Sequence, residues 1–223
     1  MILAIDTSTQ WVGIAIHDGA VIQFEKVWKS NRRHTIELAP NIRSAFSDCG
    51  IGPKELSAVA VALGPGSFTS LRIGLSTAKG FCLSQQIPVI GIPTLDIVAF
   101  PQPLHDLPMI CLLKAGRNRL AAVRYEIKDG RWQAVDAPIC TTAEALEKSV
   151  VTPTWICGEI DAHDRQVISR RWRNARIAQP ADSLRRPSYL AEMAWERLKR
   201  SDWDDVLSLS PIYLHTIDAI EPE

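Results

Sequence analysis

Apolar runs of strand length alternate along this chain with apolar stripes of helical period, and the order in which they come repeats once. Met1 to Ile5 is the first run and ends in the polar turn Asp6-Thr7-Ser8-Thr9. Trp11 to Ile16 and Val21 to Val27 follow, joined by Asp18-Gly19, a hairpin signal because both residues tolerate positive φ. These three runs predict an antiparallel meander. Thr35 to Cys49 places Leu38, Ile42, Ala45, Phe46 and Cys49 on one helical face, with Pro40 held to the first turns or bending them. A strand at Ala58 to Leu63, a glycine loop, a helix from Phe68 to Gln86 and a strand from Pro88 to Gly91 complete this half. Pro101, Pro103 and Pro108 then mark a linker.

The programme restarts at Met109. Met109 to Leu113 is a strand running into Lys114-Ala115-Gly116-Arg117, Leu120 to Ile127 is another, and Asp129-Gly130 turns the chain into Trp132 to Val135. Thr142 to Val150 reads as a helix, Thr154 to Cys157 as a strand entering Gly158-Glu159, and Ser188 to Arg200 as a helix begun after Pro187. The expectation is therefore an α/β protein of two lobes, residues 1–101 and 102–223, each a mixed sheet with flanking helices, the last segment packing back on the first lobe. A duplicated unit of this kind is the plan of the two-lobed actin-like ATPase fold (ASKHA, ribonuclease H-like), which by itself gives no function.

Between the strand at 58–63 and the next helix lies Gly64-Pro65-Gly66-Ser67-Phe68-Thr69-Ser70-Leu71-Arg72-Ile73-Gly74. Its glycines permit positive φ and close backbone approach, and the N–H groups of the helix start are open to an anion or a partner's acceptor. Two chemistries are excluded by spacing. A P-loop needs Gly-Lys-Ser/Thr after its first glycine, and a nucleophile elbow needs glycine on both sides of the serine at two positions' distance, where Ser67 has Pro65 and Thr69.

Composition narrows the classes. The chain has 223 residues, 46% hydrophobic, with 25 basic and 25 acidic side chains, so no global field recruits nucleic acid or membrane. Five cysteines, with no C-x-x-C pair, predict reduced and mostly buried thiols in a cytoplasmic protein. Asp6 interrupts the N-terminal apolar run, and no apolar stretch approaches the roughly 18 residues of a membrane span.

Met1-Ile-Leu-Ala-Ile-Asp-Thr-Ser-Thr9, His34-Thr-Ile-Glu-Leu-Ala-Pro40, the Gly64 to Gly74 block, Gly91-Ile-Pro-Thr-Leu95 and Ser210-Pro-Ile-Tyr-Leu214 together resemble the bacterial TsaB (YeaZ) family. The resemblance is close over residues 1–100 and looser afterwards, where Pro211 to Leu214 is the remaining anchor. It implies an actin-like fold and a non-catalytic subunit, with no cofactor of its own, that binds and activates the catalytic paralogue TsaD. The machinery so formed, assisted by TsaE, installs threonylcarbamoyl on N6 of adenosine 37 in tRNAs reading codons that begin with A, with ATP or ADP and metal held by the partner subunits. Contact with tRNA through the complex belongs to the same implication. Two departures stand out: Ser70 where glycine is usual, and Lys114-Ala115-Gly116-Arg117 in place of an Asp-Ala-Arg-Arg-like segment.

The residues themselves favour a scaffold over the rivals, a phosphotransferase of the same fold or a peptidase. Asp6, Thr7 and Ser8 lie where actin-like ATPases hold phosphate and a metal-bound carboxylate, but the matching turn offers Lys114, so capping and tightening of the first turn is the stronger reading. The five histidines are never closer than 17 positions, so no local His-His metal site exists; His34 shares a face with Glu37 in a capping or interface role. No histidine flanks Ser67, and Cys82 and Cys49 fall on apolar faces.

Ser70, Gly74, Ala78 and Cys82 form a ridge of small residues at i, i+4 spacing beside Leu71 and Leu75, which lets another helix approach closely. Such ridges serve cores and interfaces about equally; the resemblance tips this one, with His34, Leu38 and Ile42, towards a surface for TsaD, or for a second copy of the chain. Ten residues between Arg165 and Arg200 are basic against three acidic, a run that reads first as a solvated surface.

Overall fold

A computed structural model describes residues 1–116 and 118–214; Arg117 of the second turn and His215, the last of the five histidines, lie outside the described residues. In chain order the first half forms β1 (Ile2–Asp6), β2 (Trp11–His17), β3 (Ile22–Lys29), α1 (His34–Cys49), β4 (Ala58–Ala62), α2 (Phe68–Gln85), β5 (Val89–Ile92) and α3 (Thr94–Ala99). The second forms β6 (Met109–Lys114), β7 (Leu120–Lys128), β8 (Arg131–Ala134), β9 (Ile139–Thr141), α4 (Ala143–Ser149), β10 (Thr154–Gly158), α5 (Ala162–Ile168), β11 (Ala175–Ile177) and α6 (Pro187–Lys199).

The first sheet runs β3-β2-β1-β4-β5, with β1, β2 and β3 antiparallel and β4 and β5 parallel to β1. The second runs β11-β10-β6-β7-β8, again opening with an antiparallel meander, and β9 adds to β7 beside β8. Each meander turns at an Asp-Gly pair. Gly19 has φ +103° and a Cβ there would lie 2.2 Å from Trp195, so only glycine fits. Asp129 and Gly130 both have positive φ, as a two-residue hairpin turn requires.

Burial of the first sheet on both faces explains the sequence of its central strands. In Ala58-Val-Ala-Val-Ala62 the valines, with Leu3 and Ile5, meet Leu38, Ile42, Leu75 and Ala78 of α1 and α2. The alanines, with Ile2, Ala4 and Ala15, meet Leu190, Ala191 and Ala194 of α6. Small side chains on that face let α6 come close to the sheet.

The halves exchange helices: α6, late in the chain, covers the first sheet, whereas Leu95, Val98 and Ala99 of α3 join Met109, Cys111 and Tyr125 on the second. Alternation within one strand does not reveal which helix covers it, so neither α3 nor its placement was predicted. Two strands of three residues each, β9 and β11, and the seven-residue α5 were also missed, being too short to show a period. Pro40 lies inside α1 rather than in its first turn, on the exposed side, where the lost N–H bond is tolerated.

Candidate functional site

The turn after β1 points into the cleft between the two sheets. Asp6 Oδ1 accepts from Ser8 N at 2.9 Å, Thr7 Oγ1 donates to Ser70 O at 2.6 Å, and Ser8 Oγ pairs with Thr94 Oγ1 at 2.8 Å. The glycine loop is stitched to this turn by its backbone. Ser67 N donates to Ser8 O at 2.7 Å, Gly64 N to Thr94 Oγ1 at 2.9 Å, and a Cβ on Gly66 would lie 2.3 Å from Ser8 O. Ser67 N–H, expected to be open to an anion, is therefore spent inside the chain, and the second glycine exists to let two backbones touch.

Asp6 faces Arg185. The guanidinium Nε pairs with Asp6 Oδ2, Nη1 reaches Glu159 Oε1 at 2.7 Å, and Nη2 donates to Thr9 Oγ1 at 3.2 Å and Trp11 O at 3.1 Å. Thr9 Oγ1 also donates to Glu159 Oε1 at 2.6 Å. Glu159 is carried there by Gly158, whose φ of +109° takes the chain past Leu112 where a Cβ would lie 2.1 Å from its carbonyl oxygen. Arg185, one of the ten basic residues of the run from Arg165 to Arg200, is buried. Burial alone would lower its pKa, but the Asp6 and Glu159 carboxylates outweigh this and hold it above the usual range.

Across the cleft Lys114 contacts Asp161 and Asp164. Desolvation opposes its charge, and hydrogen bonds to the two aspartates reverse the balance and raise its pKa. Asp161, His163 and Asp164 are the cluster with metal-ligand spacing among the described residues, and the Lys114 ammonium already supplies its cation. Gln10, Trp11, Lys114, Glu159, Arg165 and Arg185 surround what remains, a space of about 240 Å³. An actin-like nucleotide site needs a carboxylate available to a metal and two turns open to phosphate. Here Asp6 is bound by Arg185 and the second turn is closed by its own ion pairs, so these residues do not fit a metal-bound nucleotide.

The small-residue ridge faces inward in the structure. Ser70, Leu71, Gly74, Leu75, Ala78 and Cys82 are buried within the chain, as are His34, Leu38 and Ile42. The ridge brings α2 onto the sheet and the turn: a Cβ on Gly74 would lie 2.3 Å from Thr7 Oγ1. His34 ties α1 to the same turn, its Nε2 2.9 Å from Thr9 O. The exposed side of the two helices includes Ile36, Phe68, Thr69, Arg72 and Leu83 among polar and small residues such as Thr35, Arg43, Ser44 and Ser76, with Ile73 half-buried. Ser67 is exposed as well, while Gly64 and Pro65 are buried and Gly66 is half-buried. Ile36 and Leu83 are exposed apolar residues outside the buried stripe. Arg72 lies 3.7 Å over the Phe68 ring and donates to Tyr213 Oη at 3.0 Å, while Ile212 N donates to Leu63 O at 2.8 Å, so residues 211–214 return to the loop.

Three of the five thiols, Cys82, Cys111 and Cys157, are inert by position. Burial pushes Cys82 up to about 11, and burial together with Cys157, whose Sγ is 3.5 Å away, raises Cys111 well above the usual thiol range. Iodoacetamide near neutral pH should therefore modify Cys140 and Cys49 first and spare Cys82, Cys111 and Cys157 until denaturant is added. Peptide mass spectrometry of the labelled protein checks this.

The family model for TsaD, tRNA N6-adenosine threonylcarbamoyltransferase, matches residues 28–161, more than half of the chain. A TsaB biosynthesis protein of Bacillus subtilis is 28% identical over 98% of this chain and 95% of its own, and that of Escherichia coli 38% identical over 44% and 42% respectively. Among solved structures, a Pseudomonas aeruginosa protein described as similar to peptidase YeaZ superposes with a TM-score of 0.77 at 20% identity, covering 96% of this chain and 99% of that one. The ethanolamine utilization protein EutJ of Carboxydothermus hydrogenoformans, at 11% identity over 85% and 88% of the two chains, gives 0.53. Both share the two-lobed architecture. The chain belongs to the family described by the TsaD threonylcarbamoyltransferase model and, within it, to the TsaB (YeaZ) branch.

Proposed function

We propose that this chain serves the formation of N6-threonylcarbamoyladenosine in tRNA as a non-catalytic subunit that binds and activates TsaD. The observation that carries the reading is the closed cleft: Arg185 occupies the Asp6 carboxylate that an actin-like ATPase would give to a metal, and Lys114 closes the opposite turn. Nucleotide and metal chemistry then falls to partner subunits, TsaD and TsaE, and position 37 of tRNAs for codons beginning with A is the target. The exposed side of α1 and α2 is the partner surface in this reading. It presents Ile36 and Leu83, 59% and 57% exposed, at solvent positions where polar side chains are the rule. Among the described residues no helix is long and apolar enough to cross a membrane, in keeping with work on tRNA in the cytoplasm.

The test is reconstitution. The chain alone should form no modified nucleoside and release no phosphate from ATP, and addition of TsaD, TsaE and threonylcarbamoyl-adenylate should yield the product, read by mass spectrometry of digested tRNA. Robust ATP turnover by the chain alone would overturn the reading. Ile36→Asp with Leu83→Asp should weaken association with TsaD by about tenfold or more in calorimetry, because truncating or charging an interface anchor costs upward of about 1 kcal/mol per site. Both residues are solvent-exposed, so the melting temperature should stay within a few degrees of the parent.

A further inference from the structure

From the end of α5 into β11 the chain reads Ser169-Arg-Arg-Trp-Arg-Asn-Ala-Arg176, eight residues without a carboxylate. The structure separates this stretch from the rest of the basic run. Arg165 is spent on Ala178 O, Arg185 on the buried network, Arg186 on Glu25, and Arg197 on Asp202. Within the stretch Arg171 pairs with Glu147 at 2.7 Å. Arg170, Arg173 and Arg176 are exposed and make no ion pair among the described residues. Trp172 stands between them, 67% exposed, with the Arg173 guanidinium 5.0 Å from its ring centroid.

An aromatic ring of that size held in water, framed by guanidinium groups that form no close ion pair, is the pairing that binds unpaired bases and phosphates together. Guanidinium forks match phosphate oxygens in two-pronged contacts, and a ring stacks on any base that is not already sandwiched in a duplex. A lipid surface is the poorer match, because the stretch is a turn with one aromatic residue and offers no apolar helical face to bury. Arg176 lies on β11, the edge strand of the second sheet, whereas α1 and α2 cover the first. The patch is therefore accessible when the proposed partner surface is occupied.

We propose that residues 169–176 form a docking site for a single-stranded segment of RNA, Trp172 stacking on a base while Arg170, Arg173 and Arg176 contact phosphates. This inference rests on the patch itself and stands whether or not the chain activates TsaD. Three phosphate contacts on a single strand correspond to a salt slope of about −2, so affinity should fall about 20-fold between roughly 50 and 200 mM salt.

Fluorescence anisotropy of a labelled oligouridylate of about 12 nucleotides, titrated with the full chain, provides the test. Trp172→Ala should weaken binding about 10- to 100-fold with a nearly unchanged salt slope. Arg170→Ala, Arg173→Ala and Arg176→Ala combined should weaken it and make the slope shallower by about 2. A control removing equal charge elsewhere, Lys29→Ala, Arg43→Ala and Lys54→Ala, should change it little, and all three proteins should melt like the parent because the replaced side chains are exposed. Equal losses in patch and control variants would reduce the effect to net charge and overturn the proposal. So would tighter binding of a blunt RNA duplex than of the single strand, or affinity for vesicles rich in phosphatidylserine that exceeds affinity for RNA.

Discussion

Arg185→Ala should lower the stability of this protein by about 3–5 kcal/mol, the cost of leaving a buried charge without its partner. Asp6 and Arg185 expose 3% and 2% of their side chains, so water cannot replace the lost contact. The substitution removes four hydrogen-bonding contacts at once, to Asp6, Glu159, Thr9 and Trp11. Glu159 Oε2 is already buried without a partner, which makes a second orphaned carboxylate harder to absorb. For a chain of this length each kcal/mol moves the melting temperature by roughly 2–4 °C, so a fall of about 6–20 °C is expected by circular dichroism. Asp6→Asn and Glu159→Gln combined with Arg185→Met should recover much of the loss, since neutralising all three members of the buried cluster removes the desolvation cost. If Arg185→Ala melts with the parent, the network contributes nothing and the cleft is less closed than its geometry indicates.

Most of the scaffold was legible because its signals are local. The Asp-Gly turns located both meanders, and the restart at Met109 gave the second sheet, since the period-2 pattern and turn chemistry act within a few residues of each other. What remained hidden depends on partners distant in sequence. Which helix covers which face leaves no mark in a strand whose two faces are both apolar. Arg185 sits in a run of arginines of which several are exposed, and nothing in one dimension distinguishes the residue that meets Asp6 nearly 180 positions earlier. The glycine loop was readable as specific but not for what it does. Gly66 and Gly74 are glycines because Ser8 and Thr7 lie against them, so the motif builds the turn that Arg185 then closes.

Ala78→Trp decides between the two uses of a small-residue ridge, and it should act on the fold. Ala78 is 0% exposed, in the core formed by Leu3, Val59, Val61, Leu38 and Ile42. Its methyl lies on the side of α2 that meets β4, where interior packing density leaves no room for an indole. Overpacking of this kind costs typically about 1–3 kcal/mol, and the change from the smallest apolar side chain to the largest belongs at the upper end. A melting temperature about 6–12 °C lower is expected, together with weaker binding to TsaD that tracks the fraction unfolded. Ile36→Asp with Leu83→Asp should show the opposite pattern, with stability held and association lost. The pair separates the two faces of α2 because each variant perturbs a different observable. A folded Ala78→Trp protein that melts like the parent and loses only binding would return the ridge to the surface and displace Ile36 and Leu83 from the interface. The reverse outcome leaves α2 with its small residues turned to the sheet, where Gly74 admits Thr7, and its exposed apolar residues turned to the partner.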